Sequence, residues 1–109
     1  MTGPEVDPHT LATVRTICDA IERMRVLTFI YEGEERSAHP YILGISRRGI
    51  LVLSAVQRSG GSGRGFRSFH IEGLSSPRIT RQKFFGSHPD YNPKDRDFEK
   101  ILCQVEPRD

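Results

Sequence analysis

Val26-Leu27-Thr28-Phe29-Ile30-Tyr31, followed by Glu32-Gly33-Glu34-Glu35 and Arg36, is the stretch that decides the fold. Leu27, Phe29 and Tyr31 alternate with Val26, Thr28 and Ile30, the period-2 pattern of a strand with both faces at least partly covered. The Glu-Gly-Glu-Glu run makes a tight turn, and Arg36 starts a return strand that extends to Ile45. Pro40 within it marks an edge position, a bulge or a sharp bend. Arg47-Arg48-Gly49 turns again, and Ile50 to Val56 is the most apolar run, hence the most buried strand.

Working outward, Gln57 to Gly65 carries Gly60, Gly61, Gly63 and Gly65 with Ser59 and Ser62, the composition of a mobile loop joining two strands. Phe66 to Ile71 alternates aromatic and polar residues, as a half-buried strand does. Glu72-Gly73 turns, and Leu74 to Thr80 forms a fifth strand broken by Pro77. On the other side, Asp7-Pro8 has the chemistry of a helix start, an acceptor at N-cap and a proline where no amide is needed. Leu11, Val14, Ile17, Cys18, Ile21 and Met24 then fall on one helical stripe, opposite Arg15, Asp19, Glu22 and Arg23. A single amphipathic helix ending near Arg25 follows. Beyond Arg81 the pattern weakens. Phe84-Phe85 is expected to plug one end of the core, Gly86 to Lys94 to be loop, and Asp95 to open a short helix with Phe98, Ile101, Leu102 and Val105 facing inward.

The expected organisation is a disordered lead over residues 1–6, a domain over 7–80, and a C-terminal extension over 81–109 packing on that domain. The fold class is mainly β (α+β): an N-terminal helix and about five short bent strands, the plan of a small Sm-like barrel.

Composition bounds the function. A chain of 109 residues has room for one core and no separate catalytic domain. No stretch approaches the roughly 20 apolar residues of a spanning helix, and Met1 to Asp7 lacks the pattern of a signal peptide, so the expected compartment is cytoplasmic. Cys18 and Cys103 each sit among apolar residues. Buried thiols in a reducing compartment are the favoured reading, with a disulfide the minority one. A net charge of +2 is too small to demand a polyanionic partner. With three lysines among the 16 basic residues, the other thirteen are arginine, whose planar donor fork suits phosphate and base edges. A coding bias toward arginine explains that count equally well.

Three segments resemble the WYL domain, a small bacterial β-rich module of regulators that sense nucleic acid or nucleotide-like ligands. Arg67-Ser68-Phe69-His70-Ile71-Glu72-Gly73-Leu74 is similar to the family's arginine-rich segment, keeping Arg67 and Phe69. His70 and Gly73 stand where the family has arginines. Glu35-Arg36-Ser37-Ala38-His39-Pro40-Tyr41-Ile42-Leu43-Gly44 is similar to a second segment. Gly49-Ile50-Leu51-Val52-Leu53-Ser54-Ala55 aligns on Leu53 and Ala55, with Leu51-Val52-Leu53 in place of Trp-Tyr-Leu. The resemblance covers about the first three quarters of the chain. It implies a helix-plus-barrel fold and a ligand surface built by Arg67 with Arg36, Arg64 and His70. It also implies regulation of transcription or of defence systems through a partner DNA-binding protein, since no helix-turn-helix pattern is present. A homodimer fits the same reading.

The residues carry bland readings too. On the residues alone a surface arginine paired with a glutamate is the favoured reading of Arg67, which the resemblance shifts, and a partly exposed structural role is the commoner fate of His39. Valine at position 52 removes the family's stacking ring, so Tyr41 is the first candidate to replace it. His70 binds phosphate strongly only when protonated. Gly60 to Gly65 lacks the lysine and hydroxyl residue of a P-loop and opens a strand, which excludes that nucleotide cradle. No zinc spacing, H-E-x-x-H, C-x-x-C or G-x-S-x-G occurs, so neither an enzyme nor a metal or cofactor is expected. Single-stranded nucleic acid or a nucleotide-like anion is the expected ligand. A protein-interaction or dimerisation domain without a ligand is the rival, and a small Cys–His enzyme a remote third.

Overall fold

The computed structural model describes residues 7–60 and 65–106. The lead over residues 1–6, the glycine-rich centre with Arg64, and residues 107–109 lie outside it. Among the described residues the chain is mainly β, one N-terminal helix on a six-stranded antiparallel sheet.

Helix α1 (Pro8–Arg23) begins as its sequence dictates: the Asp7 carboxylate accepts the Thr10 amide at 2.8 Å, and Pro8 occupies the first turn. It ends at Met24, which adopts a left-handed conformation (φ 51°) and whose amide returns to the carbonyls of Ala20 and Ile21. Thr13, Ile17, Ala20 and Ile21 form the buried stripe.

Strand β1 (Arg25–Tyr31) and β2 (Glu34–Ser46) form the hairpin expected from the alternation. Its two-residue turn has Glu32 and Gly33 both at positive φ, 53° and 77°, which matches the right-handed twist of the flanking strands. β3 (Leu51–Ser59), β4 (Gly65–His70) and β5 (Leu74–Lys83) complete the order β4-β3-β2-β1-β5. Leu27, Phe29, Ala38, Leu43, Leu53, Ala55 and Phe69 are buried with the helix stripe in one core.

Two expectations are corrected. The sheet is not the five-stranded barrel; it has six strands and stays open, with β4 and β5 as the ends of the strand order. Nor does a helix form near the C-terminus, because Phe98–Gln104 is strand β6. Phe98, Ile101, Leu102 and Val105 satisfy helical spacing, and in so short an apolar run that spacing does not exclude a strand. The arbiter is β2. One edge of β2 pairs with β3; residues 34–38 of the other edge pair with β1, and residues 42–46 pair with β6. Without β6 the backbone groups of that second half would lack partners. The handover falls at Pro40, which has no amide to offer, and the register with β3 shifts between Pro40 and Ile42. Gly44 permits the approach of β6, since a β-carbon there would collide with the Lys100 carbonyl and the Phe98 ring.

Strand β6 also corrects the cysteine reading. It runs beside α1 with Cys18 and Cys103 at a Cα–Cα separation of 5.8 Å, and the two are joined in a disulfide. Apolar flanks made each cysteine look like an isolated core thiol; the pairing appears only once β6 lies against the helix. Phe84-Phe85 divides as well: Phe84 is 6% exposed and plugs the core, whereas Phe85 is 85% exposed.

The bridge closes a sequence separation of 85 residues, a long loop for the unfolded chain. Reduction by dithiothreitol, or Cys103→Ser, is expected to lower unfolding free energy by about 2–4 kcal/mol in urea titrations. Coincident unfolding curves with and without reductant would contradict the bridge.

Candidate functional site

The residues expected to bind a ligand go to different places. Arg36 is interior, 2% exposed. It donates to Gln57 Oε1 at 3.1 Å and to the Tyr31 carbonyl at 3.2 Å, and its guanidinium lies 5.5 Å from the Tyr31 ring centroid. The exposed carboxylates of Glu32 and Glu34 reach it at 3.5 and 3.7 Å. Gln57 in turn donates to the Gly60 carbonyl, so Arg36 ties the β1–β2 hairpin to the end of β3. These acceptors hold both terminal nitrogens of the buried guanidinium, while its Nε has no hydrogen-bond partner among the described residues.

Arg67 and His70 leave β4 in opposite directions, as alternation requires. Arg67 is half-buried, 6.0 Å from the centroid of Phe69, whose ring meets Tyr31 edge-on at 5.1 Å. His70 is exposed beside a cleft that Arg48, Asp95 and Asp97 also line, so the two carboxylates outnumber the one guanidinium there. Arg64 lies outside the described residues. Arg36, Arg67 and His70 therefore do not converge on one open concavity.

Tyr41 and His39 belong to a different face. Tyr41 is 2% exposed, which removes it as an open stacking platform and makes it a hub instead. Its ring meets Phe66 at 5.1 Å, Phe84 at 5.4 Å and Tyr91 at 4.7 Å. Its hydroxyl accepts the His88 amide at 3.1 Å, and its carbonyl accepts the Val105 amide at 2.8 Å. Burial raises the phenol's pKa, so the hydroxyl stays neutral.

Around this hub sit two imidazoles. His39 stacks on Phe84 at 4.8 Å with the rings 15° from parallel, and His88 stands edge-on to Phe66 at 5.0 Å. Arg58 is exposed on the adjoining strand, as the extra residue where Ala38 pairs with Gln57 and Ser37 with Ser59, and its charge acts on His39. Burial lowers the pKa of His39, and the nearby charges of Arg58 and then His88 lower it further. No salt bridge joins His39, Arg58 or His88 to a carboxylate among the described residues. His88 Nδ1 accepts the Asp90 amide at 3.1 Å, which leaves its Nε2 as the donor even when the ring is neutral. The arrangement can accept an anion: a guanidinium, a fixed N–H donor, and a histidine that regains its proton when negative charge arrives.

Sequence reasoning had His39 and Tyr41 but not Arg58 or His88. His88-Pro89 sits in a stretch without periodicity, and no spacing ties it to β2. Comparisons with protein-family models, curated proteins and solved structures gave no match.

Two outcomes test these placements. Arg36→Ala strands the Gln57 acceptor in the interior and is expected to cost about 1–3 kcal/mol of stability in urea unfolding. Because the folded pKa of His39 lies below its ordinary value, the unfolded chain takes up that proton first on acidification. The stability it contributes is complete above the ordinary histidine range and is lost as pH falls through the folded pKa. Urea midpoints measured from pH 8 to about pH 5 should fall less steeply in His39→Gln than in the parent; parallel falls would contradict the assignment.

Proposed function

We propose that this chain is a WYL-like binding module that senses single-stranded nucleic acid or a nucleotide-like anion, with the phosphate held by His39, Arg58 and His88. The observation that carries this is the pair of imidazoles around Tyr41, each set against an aromatic ring, with the Arg58 charge acting on His39 and no salt bridge to a carboxylate among the described residues. Structural arginines acquire acceptors, as Arg36 has done. Burial and the charges of Arg58 and His88 lower the affinity of His39 for its proton, and an anion placed beside it offsets those charges.

The resemblance to WYL domains supports the ligand class and a regulatory role exercised through a partner chain. The phosphate position differs from what the resemblance implies, because His70 and Arg67 lie on separate faces and Arg36 is enclosed. In this reading the module recognises charge at β2, β3 and the segment between β5 and β6, and needs no catalytic group.

Fluorescence anisotropy with a labelled tetrathymidylate across a salt series is the test. Affinity should fall as salt rises, and Arg58→Ala should both weaken binding and flatten the logarithmic salt slope by about 0.7, the value of one phosphate contact on a single strand. Affinity should also rise as pH drops from 8 to about 6, because bound phosphate returns a proton to His39. Salt-independent binding, or an Arg58→Ala variant indistinguishable from the parent, would remove the proposal.

A further inference from the structure

Phe85 is the most exposed large apolar side chain described, at 85%, and it follows directly on the buried Phe84. Its position is imposed by the backbone. Phe84 donates its amide to the Met24 carbonyl at 3.0 Å, and Gly86 turns with φ 68°. A β-carbon at Gly86 would lie 2.8 Å from Val105 and 3.0 Å from the Met24 sulfur, so the chain is pinned on both sides of Phe85. A ring on so constrained a turn stays presented to solvent.

The surroundings of that ring are chemically specific. Arg23, Met24, Lys83, Phe84 and Phe85 line a cleft of about 250 Å³ between the end of α1 and the end of β5. Its floor is apolar and its rim cationic. Arg23 pairs with Asp19 at 3.2 Å, whereas Lys83 has no carboxylate partner among the described residues. Along β5, Arg78, Arg81 and Lys83 are all exposed, and residues 74–85 contain no acid. The volume is below that of pockets that engulf a whole ligand, and a flat ring over a shallow apolar floor suits one planar group.

Phe84 links this cleft to the anion site, since the same side chain that lines the cleft carries the His39 ring stacked on it at 4.8 Å. We propose that Phe85, with Met24 and Lys83, takes the base of a nucleotide adjacent to the one whose phosphate rests at His39, Arg58 and His88. The ligand is then a single strand of two or more nucleotides and not a free mononucleotide. This rests on the phosphate reading above and deepens it. Every base has a π-face, so an exposed phenylalanine provides sequence-tolerant stacking, while Lys83 offers a cation to the adjoining backbone. In a duplex that base face is occupied by its neighbours, which excludes double-stranded partners from this cleft.

The chain contains no tryptophan, so F85W installs a sole indole at the platform. Tetrathymidylate is expected to quench its fluorescence, and inorganic phosphate to leave it unchanged. Phe85→Ala removes only exposed surface and so keeps the fold. It should weaken tetrathymidylate roughly tenfold, the loss of one stacked base, without altering competition by inorganic phosphate. The stacking proposal is overturned if Phe85→Ala binds the oligonucleotide as tightly as the parent, or if saturating oligonucleotide leaves the F85W signal unquenched. Those results would leave the salt slope of Arg58→Ala intact. If neither tetrathymidylate nor thymidine monophosphate binds the parent chain, the phosphate reading itself fails and the stacking proposal with it.

Discussion

The buried tyrosine of β2 holds the two halves of this structure together. Tyr41 stands where β2 passes from one partner strand to the next. Its carbonyl receives the Val105 amide just past β6, and its hydroxyl receives the His88 amide. Three aromatic rings close around it. Tyr91, one of them, donates to the Val105 carbonyl and accepts from Gln104, so the segment between β5 and β6 is tied to Tyr41 at several points. Phe84, at the start of that segment, supports His39. The candidate anion site is therefore a consequence of how the C-terminal return is pinned.

Much of the sheet was readable from local pattern. The Asp7-Pro8 cap, the alternation of residues 26–31, the glycine at position 33 and the alternating aromatics of β4 each specify their element over a few residues. Pro40 also signalled the β2 irregularity. What escaped was decided at a distance. The apolar spacing of residues 98–105 fits a helix, and only the vacant edge of β2 selects a strand. The disulfide needs that same strand against α1.

Site residues followed the same rule. Nothing in the run Glu34-Glu35-Arg36 distinguishes a surface arginine from an enclosed one; Gln57 and Tyr31, contributed by other strands, make the difference. Tyr41 was legible as an important ring, but its burial reverses the role from stacking partner to support. Phe84 and Phe85 read alike in sequence and are separated by a turn at Gly86. Arginine richness proved a poor guide on its own, because guanidiniums in this chain serve structural acceptors as well as open surface.

In the proposed function His39, Arg58 and His88 act together as one anion site beside Tyr41. Side-chain NMR of a uniformly labelled chain titrated with inorganic phosphate addresses it residue by residue. The histidine ring signals of His39 and His88 and the guanidinium Nε–H of Arg58 should shift together on one saturable curve, while those of Arg36, Arg67 and His70 stay in place. Shifts centred on Arg67 and His70, with His39 and His88 unmoved, would contradict the account.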